Sequence, residues 1–248
     1  MSVGQVIVYK NKTMSFLKAE WRKLVLINYA VEPELLKKYL PYKTELDLWN
    51  NTCYVSLVGF LFVNTKMLGL KIPFHVNFEE VNLRFYVKHL DKGEWKRGVV
   101  FLKEIVPKAA ITIVANTLYG EHYQTMRMKH LWTETDEART VEYSWRLGKD
   151  WQSMRVEAHK NLLPIEEGSE AEFITEHYWG YTKINNQKTF EYGVTHPRWQ
   201  QYQVNHFDIQ VDFGRLYGDE WSILNGLEPT SVMLAEGSEI TVENKRQL

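Results

Sequence analysis

An alternation of apolar and polar residues with a period of two is the feature that most restricts how this chain can fold. In residues 140–147 every second side chain is apolar, Tyr143 and Trp145 among them, and the side chains between are mostly polar. The same alternation recurs in residues 81–88 and 154–159. Because successive side chains of a β-strand point to opposite faces, the pattern predicts half-buried antiparallel strands.

Two irregularities in this pattern predict where strands bend or end. The apolar positions change from even to odd within residues 199–213, which indicates a β-bulge around Asn205 and His206. Residues 230–243 contain Glu-Gly-Ser at 236–238, which predicts a hairpin that turns at those three residues.

Helical signals are few and short. The spacing predicts one helix over residues 33–40, which a proline stops, and another over residues 107–118, which begins with a proline. A third helix is expected to begin at Ser169, because Glu172 three residues later completes a capping box.

These elements predict a single α+β domain over residues 1–248. We expect a large antiparallel sheet that curls toward a barrel around a cavity, with a few short helices. Residues 1–15 and 244–248 are expected to be loose termini. Aromatic residues make up 14% of the chain, and they must line either the core or a pocket.

Charge and composition exclude several classes of protein. Lysine and arginine total 30 against 31 acidic residues, a net charge of −1, which gives no general attraction to nucleic acid or anionic lipid. No apolar run approaches the roughly 18 residues of a membrane span, and the first residues lack a secretory pattern. We therefore expect a cytoplasmic protein with neither nucleic acid nor membrane as a partner. A homo-oligomer stays open.

Sequence motifs for metals and cofactors are missing. Cys53 is the only cysteine, and no two histidines have the spacing of a local ligand pair. The chain has no Walker loop, no G-x-G-x-x-G and no G-x-S-x-G. We expect no metal and no cofactor.

A polar stripe within one predicted strand is the best candidate for a binding site. Four polar residues share one strand face, opposite apolar ones: Glu80, Asn82, Arg84 and Tyr86. In a half-solvated sheet they form its wet side, whereas in a closed barrel they point into a ligand pocket. The planar guanidinium of Arg84 suits a carboxylate, since it can bond both oxygens.

Lys108 is the candidate nucleophile. It lies at the start of the second predicted helix, where partial burial favours the neutral amine that attacks a carbonyl to form a Schiff base. The alternative is a lysine whose stem covers apolar surface while its ammonium stays in water. Glu-His-Tyr at 121–123 and at 176–178 each contain a possible base, but near helix ends a satisfied interfacial histidine is commoner.

Five stretches have a family-specific character: residues 21–24 (WRKL), 46–48 (LDL), 80–87 (EVNLRFYV), 97–101 (RGVVF) and 192–199 (YGVTHPRW). They resemble the YqjF-like proteins, an uncharacterised bacterial family, over roughly residues 16–242. The resemblance implies the fold of the acetoacetate decarboxylase-like superfamily, a curled antiparallel sheet around a cavity.

Acetoacetate decarboxylase works through a Schiff-base lysine in a Pro-Lys-Lys motif, with a second lysine, an arginine and acidic residues. The resemblance puts Arg22 at the pocket arginine, Lys108 at the first lysine, and Glu80 as a loose substitute for an acidic residue. Ala109 stands in place of the second lysine, so the like charge that helps to lower the pKa of the nucleophile is missing. The resemblance therefore predicts the fold and not the decarboxylase activity.

Three functions are compatible with these residues. The leading one is binding of a small organic acid or carbonyl compound, with Schiff-base chemistry at Lys108 as a corollary. The predicted pocket residues are Arg22, Glu80, Asn82, Arg84 and Tyr86. The second is a non-catalytic, lipocalin-like module for an apolar or aromatic ligand, which the 9 tryptophans and 14 tyrosines favour. The third is an assembly role, in which the sheet packs against a second copy.

Overall fold

The structure, a computed structural model, describes residues 15–248. One sheet contains the strands β1 Leu17–Ala30, β2 Glu45–Leu46, β3 Tyr54–Met67, β4 Phe78–Asp91, β5 Glu94–Val106, β6 Tyr123–Thr125, β7 Met128–Glu134, β8 Arg139–Leu147, β9 Asp150–Pro164, β10 Trp179–Asn185, β11 Lys188–Thr195, β12 Gln200–Gln210, β13 Ser231–Val242 and β14 Arg246–Gln247. The helices are α1 Ala109–Tyr119, α2 Glu170–Thr175 and α3 Phe213–Tyr217, with 3₁₀ turns at Pro33–Tyr39 and Asp219–Leu224.

The alternating segments of the sequence form strands as predicted. Residues 81–88, 140–147 and 154–159 lie in β4, β8 and β9. Most neighbouring strands are antiparallel, but β6 and β10 both run parallel to β5, so the sheet is mixed. The predicted α+β class and the large curled sheet with few short helices are confirmed.

Seven strands of the sheet form a ring. In the order β11, β10, β5, β4, β3, β1 and β13, each strand of the described chain pairs with the next, and a short pairing of β13 with β11 closes the circle. A second group, β12, β9, β8 and β7, continues from β13. This extension packs on the outside of the ring, where Tyr143 and Met154 lie directly over Gly59 of β3.

Strand β4 is buried on both of its faces as a result. Its outer face, with Val81, Leu83 and Phe85, packs in one apolar core with residues of β8 and β9. Its inner face, with Phe78 and Tyr86, packs in a second core inside the ring. Neither face of β4 is a wet side.

The predicted hairpin at residues 236–238 does not form. Strand β13 runs straight through these residues, and Gly237 pairs with Arg22 of β1. Gly237 has a φ of +80°, and a Cβ there would collide with the carbonyl oxygen of Trp21. The sequence signal for a turn therefore marks an irregularity inside a continuous strand, where two backbones approach closely.

The other local predictions agree better with the structure. Register shifts in β12 lie between Tyr202 and His206, close to the predicted bulge. Ser169 caps α2 by accepting a hydrogen bond from the Glu172 backbone over 3.2 Å. The first helix is a 3₁₀ turn, and α1 begins two residues later than predicted.

The two predicted loose termini differ in what can be said of them. Residues 1–14 lie outside the described residues. The segment 244–248 contains β14, which pairs with β11, and Arg246 donates hydrogen bonds to Asp91 and Glu191 over 2.7 and 2.5 Å. Within residues 15–248, none of the helices has the length and apolar character needed to cross a membrane.

Gly237 provides a test of the continuous strand. We expect Gly237→Ala to destabilise the protein by about 3 kcal/mol or more, because it adds a collision to the strain of a positive φ. Gly226 is the matched control, since its φ is +70° and a Cβ added there would meet no atom within 4 Å. Gly226→Ala is expected to cost roughly 1 to 2 kcal/mol in urea unfolding. Equal costs at both positions would contradict the close approach.

Candidate functional site

A cavity of about 140 Å³ lies inside the ring of strands. Every strand of the ring contributes lining side chains, and α1 and α2 contribute others. Much of the wall is aromatic, including Trp21, Phe62 and Phe78. Within residues 15–248, the polar and charged lining residues are Glu80, Arg84, Glu104, Glu121, Tyr123, Thr175, His177, Tyr192 and His196.

The polar stripe of β4 lies on the cavity side of the strand. Glu80 and Arg84 line the cavity, and Asn82 and Tyr86 are buried on the same face. The amide of Asn82 donates a hydrogen bond to Glu80 over 3.0 Å. The Tyr86 hydroxyl lies 2.7 Å from that of Ser56, which donates its own proton to a neighbouring amide, so Tyr86 is the donor. Two stripe residues thus reach the cavity, and two form hydrogen bonds beside it.

Arg84 is a buried cation with an unused hydrogen-bond donor. The residue is 7% exposed, and its Nε atom has no hydrogen-bond partner among the described residues. The guanidinium lies 5.7 Å from the centroid of the Tyr86 ring. Because an unsatisfied buried donor is costly, a ligand that accepts hydrogen bonds from Arg84 would be bound favourably.

Three glutamates from separate segments line the wall of the same cavity. Glu80 lies on β4, Glu104 lies on β5 opposite Asn82, and Glu121 follows α1. We call Glu80, Glu104 and Glu121 the carboxyl cluster. All three are buried, and the charges of Glu80 and Glu121 act on Glu104. The Tyr123 hydroxyl donates a hydrogen bond to Glu80 over 3.2 Å.

Burial makes the carboxyl cluster hard to ionise. It raises the pKa of Glu80 to about 7, against hydrogen bonds from Asn82 and Tyr123. It also raises the pKa of Glu121 to about 7. Burial, followed by the charges of the other two glutamates, raises the pKa of Glu104 well above its usual value. The cluster therefore changes its charge near neutral pH.

Glycine at position 180 allows the cluster its tyrosine partner. A Cβ at Gly180 would collide with the ring of Tyr192, so only glycine leaves room for that ring. The Tyr192 hydroxyl donates a hydrogen bond to Glu121 over 3.1 Å, and Thr182 donates another to the same oxygen over 2.6 Å. Residues of β10 and β11 thus hold Glu121 in place.

His177 completes the wall with an unused acceptor. Its Nε2 atom lies 3.1 Å from Asp47, which also accepts a hydrogen bond from Arg97 over 2.6 Å. Burial lowers the pKa of His177 to about 4, so the ring is neutral and donates from Nε2. Its Nδ1 atom has no partner among the described residues and keeps a free lone pair. The ring packs against Tyr86, with centroids 4.7 Å apart.

Four of the six predicted site residues do not line the cavity: Asn82 and Tyr86 lie beside it, and Arg22 and Lys108 lie elsewhere. Trp21 points into the cavity, so its neighbour Arg22 points away, and Arg22 donates to Glu20 over 2.8 Å. Lys108 immediately precedes α1, is partly exposed and lies near Glu79. Among the described residues that line the cavity, none is a lysine. A nucleophilic role for Lys108 stays a prediction.

Comparison with known proteins assigns the family. The sequence model of the DUF2071 family, described as "Uncharacterized conserved protein (COG2071)", matches residues 18–239. The chain belongs to the DUF2071 family. The Uncharacterized protein YqjF of Bacillus subtilis (strain 168) is 24% identical over 185 residues, which cover 73% of each chain. The resemblance to the YqjF-like proteins is confirmed.

Solved structures with the same fold are acetoacetate decarboxylase-like. Acetoacetate decarboxylase from Legionella pneumophila has a TM-score of 0.64 at 14% identity and covers 100% of this chain and 92% of its own. An acetoacetate decarboxylase-like enzyme from Sphingomonas wittichii RW1 has a TM-score of 0.63 at 9% identity, over 100% and 99%. The enduracididine biosynthesis enzyme MppR, complexed with pyruvate, has a TM-score of 0.63 at 10% identity, over 96% and 93%.

The sequence alone left several residues of this DUF2071 site unrecognised. Glu104 lies in a strand whose alternation is irregular, and nothing local marks it as facing Glu80. Glu121 and His177 were both within the Glu-His-Tyr tripeptides, where the sequence favoured a structural histidine in each case. In the first tripeptide the glutamate and the tyrosine reach the cavity instead.

Ionisation of Glu121 is expected to cost stability. Its folded pKa of about 7 exceeds the ordinary value of 4.5, so its stabilising contribution is full below about pH 4.5 and is lost as the pH rises to about 7. The free energy of unfolding of Glu121→Gln, measured relative to that of the wild type, should therefore increase from about pH 5 to about pH 8, by on the order of 1 to 3 kcal/mol. Urea unfolding of both proteins at each pH measures this difference.

The matched control is Glu20→Gln on β1, a carboxyl group that does not line the cavity. Hydrogen bonds from Asn64 and Arg22 lower the pKa of Glu20, and neither an amide nor a guanidinium changes its charge between pH 5 and 8, so Glu20 stays ionised over this range. The control is expected to show no comparable change over the same range. A Glu121→Gln difference that is the same at both pH values would show that Glu121 ionises normally.

Proposed function

We propose that this DUF2071 protein binds a small organic acid or carbonyl compound in its cavity, and that Arg84 bonds the oxygen atoms of the ligand. The observation that supports this most directly is the buried guanidinium of Arg84, whose Nε donor lacks a partner among the described residues. A carboxylate accepts two parallel hydrogen bonds from such a group.

The charge of the wall supports an oxygen-bearing ligand at this point. Arg84 is the one arginine or lysine among the described lining residues, and the neighbouring histidines are neutral because burial lowers the pKa of His177 and of His196 to about 4. Protonated members of the carboxyl cluster can also donate hydrogen bonds to a carbonyl oxygen.

The size and lining of the cavity support a small ligand with an apolar body. Its volume of about 140 Å³ is close to the roughly 150 Å³ of an engineered apolar cavity that binds benzene. The aromatic wall suits a compact hydrocarbon or ring, and Arg84 suits one acidic group on it. MppR, which shares the fold, was solved with pyruvate bound, and pyruvate is a small oxo acid.

Two alternatives from the sequence stay predictions. A Schiff base at Lys108 requires its amine to reach the ligand, and Lys108 is not a lining residue. A lipocalin-like module for purely apolar ligands agrees with the aromatic wall but leaves the buried Arg84 without a role.

Phenylacetate and its neutral analogue phenylacetamide are the probes that test the proposed function. We expect the wild type to bind phenylacetate more tightly than phenylacetamide. Arg84→Met should weaken the binding of phenylacetate at least about tenfold, which is the usual scale for a charged hydrogen bond. Titration followed by tryptophan fluorescence measures both dissociation constants. The control is Arg22→Met, which removes the arginine that the family resemblance predicts and should not change the affinity.

The pH dependence of phenylacetate binding gives a second readout. A bound carboxylate disfavours ionisation of Glu80 and Glu121, whose pKa values lie at about 7, so binding takes up protons. The affinity for phenylacetate should therefore fall as the pH rises from about 6 to about 8.

The two arginine variants also define the result that would contradict the proposal. Loss of phenylacetate binding in Arg22→Met but not in Arg84→Met would overturn the assignment of Arg84.

Imine formation is tested on the same protein with oxo acids and borohydride. Intact-mass analysis is expected to show no trapped adduct, since the cavity wall of the described chain has no lysine. A trapped adduct on Lys108 that Lys108→Ala abolishes would establish the Schiff-base alternative instead.

A further inference from the structure

The carboxyl cluster is not explained by binding an acid alone. Three buried glutamates line a cavity in which Arg84 supplies the one permanent positive charge among the described lining residues. The carboxylate of an acid that is bound to Arg84 neutralises that positive charge. The glutamates then face the ligand without a cation of their own.

Unused acceptor atoms show where a ligand donor is missing. Glu104 is 2% exposed and lines the cavity, and its Oε2 atom has no hydrogen-bond partner among the described residues. The Oδ1 atom of Asn82, which is opposite Glu104 in register, also has none. Buried acceptors are normally satisfied, so once Glu104 is ionised these two atoms mark a place for a hydrogen-bond donor of the ligand.

We propose that the carboxyl cluster holds an ammonium group, so that the ligand is a small amino acid or a related zwitterion. This ligand class rests on the proposed function, because Arg84 holds its carboxylate. An ammonium has three donors and one positive charge, which match the free oxygen of Glu104 and the charge of an ionised cluster.

The spacing of the two charged positions agrees with such a ligand. Glu104 is in register with Asn82, which is two residues from Arg84 on the same face of β4. Two residues along a strand span about 7 Å between Cα atoms. Both groups line one cavity, so a compact molecule that carries both charges can contact both.

A divalent metal ion is a poorer candidate for the same place. Within the described part of the chain, no three histidine, cysteine, aspartate or glutamate side chains are arranged to hold a metal ion. The apolar wall around the cluster suits the carbon atoms of an organic cation, whereas a hydrated metal ion would have to lose its water there.

Three probes that share one ring separate the two charges. Phenylacetate carries the acid, benzylamine carries the amine, and phenylglycine carries both on the same skeleton. We expect wild-type protein to bind phenylglycine at least about tenfold more tightly than phenylacetate, the scale of a charged hydrogen bond. Equal affinity for the two would overturn the ammonium site and leave the acid site intact. No binding of phenylacetate would overturn the proposed function.

Glu104→Gln tests the assignment to the cluster. The ratio of the phenylacetate to the phenylglycine dissociation constant should fall severalfold below the wild-type value, because the amide cannot become anionic and only Glu80 and Glu121 keep that ability. Glu79→Gln is the matched control on the opposite face of β4, and it should keep the wild-type ratio. A wild-type ratio in Glu104→Gln would contradict the proposal. If that variant fails to fold, the comparison of the probes on the wild type still decides the matter.

The ratio should also rise with pH. The other titratable and charged groups that line the cavity are Arg84 on β4, Tyr123 on β6, Tyr192 on β11, and His177 and His196, whose pKa values burial lowers to about 4. Burial raises the pKa of both tyrosines well above 10, so within about pH 6 to 8 only the cluster changes charge. Ionisation of the carboxyl cluster favours binding of the ammonium group of phenylglycine and opposes binding of phenylacetate. A ratio of the phenylacetate to the phenylglycine dissociation constant that falls with rising pH would contradict the ammonium site.

Discussion

The coverage of β4 on both faces is the constraint on which the rest of the structure depends. On the outer face, β8 and β9 supply apolar side chains, and on the inner face the ring encloses the strand. A strand covered on both faces has no solvated side, so its polar residues must be satisfied by one another or by a ligand. The outer layer of β7, β8 and β9 contributes no described lining residue to the cavity. It nevertheless shapes the chemistry of the cavity, because it removes the solvated face that β4 would otherwise have.

The cavity concentrates groups that a folded chain normally avoids. An arginine, three glutamates and a neutral histidine share one small apolar space, and several of their polar atoms lack partners among the described residues. Each such group lowers stability relative to a fully paired arrangement. Their presence together around one cavity is typical of a site that is completed by binding.

The sequence predicted the strands and the polar stripe because both depend on alternation, which is a local property. The sequence could not decide whether the polar stripe faces solvent, because this depends on the packing of β8 and β9 across β3. Gly59 permits that packing because it has no side chain. The sequence missed Glu104 because its relation to Glu80 depends on strand register, and it misread Gly237 as a turn because close approach and reversal both require glycine.

Family resemblance and geometry pointed to different arginines. The resemblance favoured Arg22, whereas alternation along β1 turns Trp21 inward and Arg22 outward. The fold is similar to that of solved structures at identities of 9 to 14%, and the described wall of the cavity contains no lysine. Likeness of fold therefore does not by itself assign a chemistry to this cavity.

Closure of the ring has a consequence for how the protein is made. Strand β1 lies near the start of the described chain, and it pairs with β13 near its other end. During translation the hairpins of β3, β4 and β5 can form early, since their partners are close in sequence, but the wall between β1 and β11 has to wait for β13. The ring, and the cavity inside it, can therefore be completed only after β13 has been synthesised.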